Sequence, residues 1–161
     1  MSMPFNADEV FEMAEQIERN GGKFYRAAAK KFPEVSKLLL ELAAMEDKHL
    51  KTYQDMRAEL SGTEIEQPVF DPDDQAQMYL RVMADGHIFN VKADPAEKLA
   101  DKDTQEDVLK MAIDIERDSI AFFVGLKEAV SSKAGKDKVE GIIKEEMHHV
   151  VILNHKLQDL A

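Results

Sequence analysis

Six residues in this chain are of the types that hold a pair of hard metal ions, and they form one pattern written twice. Glu18 is followed by Glu46-x-x-His49, and Glu116 by Glu146-x-x-His149. A spacing of three puts the carboxylate and the imidazole on one face of a helix, where both can reach a shared ion. Four carboxylates and two imidazoles are the set with which a four-helix bundle holds two iron or manganese ions. Hard oxygen donors with two imidazoles suit iron or manganese, and zinc fits the same set.

The repeat extends past these residues. Ile17-Glu18-Arg19 with Phe24-Tyr25 returns as Ile115-Glu116-Arg117 with Phe122-Phe123, 98 residues on, and the Glu-x-x-His copies are 100 apart. Near-equal offsets indicate two similar helical hairpins, each carrying half of a site. With 17 Glu and five His in the chain, random placement gives about half a Glu-x-x-His match, so a single copy is weak evidence. Two copies, each with a glutamate some 30 residues upstream on another inward face, are much stronger. A metal-free helical interaction module is the alternative.

Composition narrows the function. The chain has 161 residues, enough for one domain, spanning 1–161, with its own core. It has no cysteine, which excludes disulfides, thiol nucleophiles and iron-sulfur clusters. A net charge of −11 disfavours nucleic acid and anionic lipid as partners and suits gathering cations. The N-terminus lacks the basic and apolar regions of a signal peptide, and no apolar run is long enough to cross a bilayer. A soluble cytoplasmic protein is expected.

Apolar positions recur at helical spacing and almost nothing alternates like a strand, so the fold class is all-α. The first helix is expected over about 6–31, with Asn6 and Glu9 as its capping box. The second, over about 33–60, has Pro33 in its first turn. Residues 61–103 read as a long crossover. It includes a shorter helix over about 73–89, with Met78, Leu80, Val82 and Met83 available for packing, and a helical turn at Asp94-Pro95. Thr104 and Asp107 cap a third helix, to about 132. Gly135 breaks that helix, and a fourth helix runs over about 136–160. Hairpin, long crossover, hairpin is the connection of ferritin-like bundles.

The proposed ligands can meet in such a bundle. Glu18 and Glu46 lie at nearly equal distances from Pro33, hence level on antiparallel helices. Glu116 and Glu146 match less well about Gly135. Leu39, Leu42, Tyr53 and Met56 share the stripe of Glu46 and His49. Val139, Ile142 and Leu153 share that of Glu146 and His149. Leu109, Ala112, Ile113, Ile120 and Phe123 accompany Glu116. Ionised carboxylates in an apolar interior cost several kcal/mol unless paired or metal-bound. Glu145-x-x-His148 overlaps the last pair but shares a face with Lys138, Gly141 and His155, so it reads as solvated. His87 and His155 read as surface residues, and the nine Met as core filler.

The segments IERNGGKFYRAAAK, LAAMEDKHL, AIDIERDSIAFF and IIKEEMHHV resemble the four helices of rubrerythrin-type, ferritin-like di-iron proteins over most of the chain. The resemblance implies that Glu18, Glu46, His49, Glu116, Glu146 and His149 bind two irons. It makes Glu46 and Glu146 bridging and Glu18 and Glu116 terminal. Tyr25 matches a tyrosine that hydrogen-bonds near the site, beyond the ligands themselves.

Two departures are visible. Ser119 stands where full-length rubrerythrins carry a further glutamate, which brings the ligand set closer to bacterioferritin. Their cysteine-rich rubredoxin domain is not in this sequence, so an external electron donor is expected, a rubredoxin-like carrier or a reductase. The expected function is a di-iron oxidoreductase that reduces hydrogen peroxide or dioxygen, acting as a homodimer. An iron-handling or iron-storage protein with a ferroxidase centre is the alternative within the same ligand chemistry.

Overall fold

The computed structural model describes residues 4–62, 65, 69, 72–84 and 95–161. No strand occurs among these residues. Helix α1 (Ala7–Lys31) opens with the capping box: Asn6 accepts from the Glu9 backbone N–H and the Glu9 side chain from that of Asn6. A 3₁₀ turn over Pro33–Val35 leads into α2 (Ser36–Ala58). The crossover contains α3 (Gln75–Ala84) and a 3₁₀ helix, Pro95–Asp101. Helix α4 (Gln105–Ala129) starts where Thr104 accepts from the Asp107 N–H, and α5 (Lys133–Asp159) starts where Ser132 accepts from the Gly135 N–H.

The packing explains the topology. One apolar layer is built from Val10 to Ile17 of α1, Tyr53 and Met56 of α2, Phe122 to Ala129 of α4 and Val139 to Ile143 of α5. A second comes from Phe24 to Ala29 of α1, Leu39 to Ala43 of α2, Val108 to Ala112 of α4 and Leu153 of α5. In sequence, Glu18, Glu46, His49, Glu116, Glu146 and His149 fall between the two layers on every helix. The polar groups therefore occupy the middle of the bundle. The α1–α2 turn lies at the end of the second layer and the α4–α5 turn at the end of the first. The chain must consequently travel the bundle's length between the hairpins: Leu80 and Met83 of α3 join the first layer, and Leu99 joins the second.

The turn of the second hairpin lies before Gly135. Gly135 does not separate the two helices; it lies in the first turn of α5, and the break falls at Val130 to Ser132, where Val130 is extended and Ser132 caps the new helix. About that turn Glu116 and Glu146 are level, which removes the mismatch the glycine implied. The third helix ends three residues earlier than expected, at Ala129. Glycine is needed at 135 for space, because a Cβ there would lie 2.6 Å from Val130 Cγ1 and 2.8 Å from Ser132 Oγ.

Within α3, Leu80 and Met83 are buried, whereas Met78 and Val82 face outward, so only half of its expected packing residues pack. The expected end of this helix, His87 and Asp94 lie outside the described residues, as does most of the 61–71 loop. Tyr79 donates its hydroxyl to the Ala121 carbonyl, and its ring lies over Gly125. A Cβ on Gly125 would come within 2.4 Å of Tyr79 Cδ1 and 3.2 Å of Leu80 Cδ2. Gly125→Ala is expected to lift α3 from α4 and cost about 1–3 kcal/mol, read as a lower urea midpoint.

Candidate metal centre

Inward facing follows from helical periodicity. Glu18, Glu46, Glu116, Glu146, His49 and His149 are all buried, with Glu146 and His149 fully so. Ile113 and Ile120, expected beside Glu116, are only half-buried, and Ser119 and Phe122 take the inner positions.

The six residues form two overlapping groups. Glu18, Glu46, His49 and Glu146 each offer a ligand atom, all within 4.8 Å of one another, and Glu46, Glu116, Glu146 and His149 form a second such group. Glu46 and Glu146 belong to both. Their oxygens divide accordingly: Glu146 Oε1 lies 3.0 Å from His49 Nδ1 and Oε2 3.0 Å from His149 Nδ1. Glu46 Oε2 lies 3.9 Å from His49 Nδ1, and Oε1 3.6 Å from His149 Nδ1. Glu18 faces only His49, at 3.6 Å, and Glu116 only His149, at 3.4 Å. The imidazoles are stacked, with centroids 5.8 Å apart.

Burial and mutual repulsion set the electrostatics of this cluster. Burial, followed by the charge of Glu146, pushes Glu18 and Glu46 well above the carboxylate range. Glu116 is raised to about 8 for the same two reasons. Burial also opposes charge on Glu146, but hydrogen bonds with Glu116, His149 and His49 prevail and hold it below its ordinary value. Burial opposes protonation of the imidazoles too, yet the carboxylates around them raise His49 to about 9 and His149 to about 10. Both oxygens of Glu18 are buried without a hydrogen-bond partner. Fully deprotonated, the four carboxylates carry four negative charges, which two divalent ions would neutralise. The donor set, its spacing and the unpartnered Glu18 oxygens all fit such a pair.

Neighbours shape the cluster. Tyr25 donates its hydroxyl to Glu116 Oε1, which fixes that carboxylate. Tyr25→Phe is expected to destabilise the metal-free protein by about 1–3 kcal/mol, the cost of leaving a buried acceptor unpaired, measured by urea denaturation. Ser119 turns its hydroxyl to the Ile115 carbonyl, 3.0 Å away, and so adds no ligand atom.

Sequence reasoning missed two residues here. Gly21 leaves room for Glu46, since a Cβ there would lie 3.3 Å from its carboxyl carbon. The signal was a Gly-Gly pair inside a long helix, unfavourable unless space requires it. Glu145 is exposed, as its helical face implied, but its carboxylate bonds His49 Nε2. His148 and His155 are exposed as expected.

An all-helical bundle with one long crossover and buried glutamate–histidine clusters suited to two metal ions is a ferritin-like di-metal carboxylate protein. The Rubrerythrin family model matches residues 9–157, and the chain belongs to that family. It also matches, over all of both chains, the crystal structure of a Thermotoga maritima protein described as a ferritin-like diiron-carboxylate protein, with a TM-score of 0.77 and 25% identity. No curated protein matches. No helix among the described residues is long and apolar enough to cross a membrane.

Proposed function

We propose that this protein is a di-iron oxidoreductase that reduces hydrogen peroxide or dioxygen with electrons from an external donor. The observation that carries the reading is the shared pair Glu46 and Glu146, each directing one oxygen to either side of the cluster. Glu46 and Glu146 would bridge two irons, with Glu18 and His49 completing one position and Glu116 and His149 the other. Manganese or zinc could be held by the same residues. A bound ferrous pair supplies two electrons together, enough to reduce peroxide to water or dioxygen to peroxide.

The chain's own part is positional. Phe122, Phe123, Leu39 and Leu42 in the flanking layers are fully or almost fully buried and exclude water from the site. Tyr25 orients Glu116, and the rigid helices hold the carboxylates close together although they repel one another. Electrons would come from a rubredoxin-like carrier or a reductase.

Ser119 favours a second reading, a ferroxidase centre for iron handling, because its hydroxyl is engaged within its own helix and the set stays at four glutamates. Mixing anaerobically loaded ferrous protein with equimolar peroxide or dioxygen separates the two. Faster ferric absorbance with peroxide supports the peroxidase, and faster absorbance with dioxygen supports the ferroxidase. Rates unchanged in Glu46→Ala and His149→Ala would overturn both. A homodimer is part of the same proposal, and a light-scattering mass of one chain would remove it.

A further inference from the structure

The two halves of the cluster differ in what stands behind each imidazole. Both histidines aim Nδ1 at the carboxylates. Behind His49, Nε2 bonds the carboxylate of Glu145, which is reached from α5 and is 55% exposed. Behind His149, Nε2 is buried and has no hydrogen-bond partner.

The internal repeat supplies the reason. At the offset of 100 that relates Glu46 to Glu146 and His49 to His149, Glu145 corresponds to Met45. In a bundle whose hairpins repeat each other, residue 45 on α2 stands to His149 as residue 145 on α5 stands to His49. A thioether is at best a weak acceptor, so one imidazole has a charged partner at Nε2 and the other has none there. The difference is chemical as well as steric. A carboxylate behind a ligating imidazole fixes the proton on the far nitrogen, leaves the near lone pair free for the metal and increases its basicity. An imidazole with no partner at Nε2 is oriented only by packing and by its contacts at Nδ1.

We propose that the two metal positions are inequivalent, and that Glu145 makes the position served by His49 the tighter one, filled first. Glu145 is a positioning residue: it acts through His49 and is not itself a ligand. The proposal rests on the two-metal reading above. It adds an order of loading, with the His149 position the more readily emptied and therefore the one open to exchange with ions in solution.

The test is a calorimetric titration of the metal-free protein with cobalt(II), with the ligand-field absorption bands followed in parallel. The wild type is expected to show two steps with affinities about 10–100-fold apart, the range that loss of a ligand's hydrogen-bonded partner typically produces. Glu145→Ala should weaken the first step by a similar factor. Glu145→Gln should fall between, because its carbonyl keeps the bond without the charge. Met45→Glu should strengthen the second step. Positions 45 and 145 are half-buried and exposed, so all three variants should fold. A merely structural role for Glu145 would give no gain at the second position from Met45→Glu. Two ions bound with indistinguishable affinity, or steps unmoved by these variants, would overturn the inequivalence while leaving the two-metal reading intact. Fewer than two ions per chain would overturn both.

Discussion

Loading the protein with two divalent ions is expected to raise its melting temperature by about 20 °C, and by more at pH 8 than at pH 6. A ligand present at about 1,000 times its dissociation constant stabilises the folded state by about 4 kcal/mol per site. For a chain of this size each kcal/mol is worth roughly 2–4 °C. The pH dependence follows from the protons held by the metal-free cluster. Glu18 and Glu46 are raised well above 4.5, Glu116 is raised from 4.5 to about 8, and His49 and His149 are raised from 6.5 to about 9 and about 10. All five groups bind protons more tightly folded than unfolded. Their contribution is complete below the unfolded values and is lost as pH rises through the folded ones. Glu146 is shifted the other way; its contribution is present above 4.5 and is lost only as pH falls below that. The metal-free protein therefore loses stability between about pH 5 and pH 10. Metal uptake shows the opposite trend, because protons held on the raised carboxyls and imidazoles must leave before the ligands are free. Scanning calorimetry with chelator and with excess metal at the two pH values measures both trends. An equal increment at pH 6 and pH 8 would contradict the protonation pattern.

The second large effect separates two carboxylates that look alike in sequence. Glu146→Gln is expected to destabilise the metal-free protein by about 3 kcal/mol or more, because it removes the anion that pairs with two buried imidazoles. Glu46→Gln should leave the metal-free protein within about 1 kcal/mol of wild type, since burial and the charge of Glu146 already disfavour a charge on Glu46, and a neutral amide is a close substitute. Yet both variants should lose both metals, because each carboxylate belongs to both groups. Urea midpoints in chelator and metal stoichiometry, taken together, test the contrast. Equal destabilisation by the two substitutions would show that charge is not distributed in this way.

The site was legible in the sequence because its grammar is local. Glu-x-x-His needs only helical spacing, and the duplication of the pattern supplied the long-range pairing that one copy could not. Helix α1 was legible for the same reason, as Asn6 and Glu9 lie within one turn of each other. The second interhelical turn is set by a serine cap and not by the nearby glycine. Ser132 ends the break by satisfying the Gly135 N–H, and the glycine answers to crowding by Val130 instead. Glu145 was legible as exposed but not as a partner of His49, since its reach across to α2 depends on helix packing that periodicity does not encode. The outward turn of Met78 and Val82 depends likewise on how α3 lies against α4.

The central claim is that the six buried residues hold two ions between them. Titrating the metal-free protein with ferrous iron under strict exclusion of oxygen, followed by calorimetry, tests it most directly. The account predicts two irons bound per chain, with release of protons that grows as the titration is moved from pH 8 towards pH 6. One iron per chain or none would contradict it, and the buried carboxylates would then have to be explained as a proton-sharing network without metal.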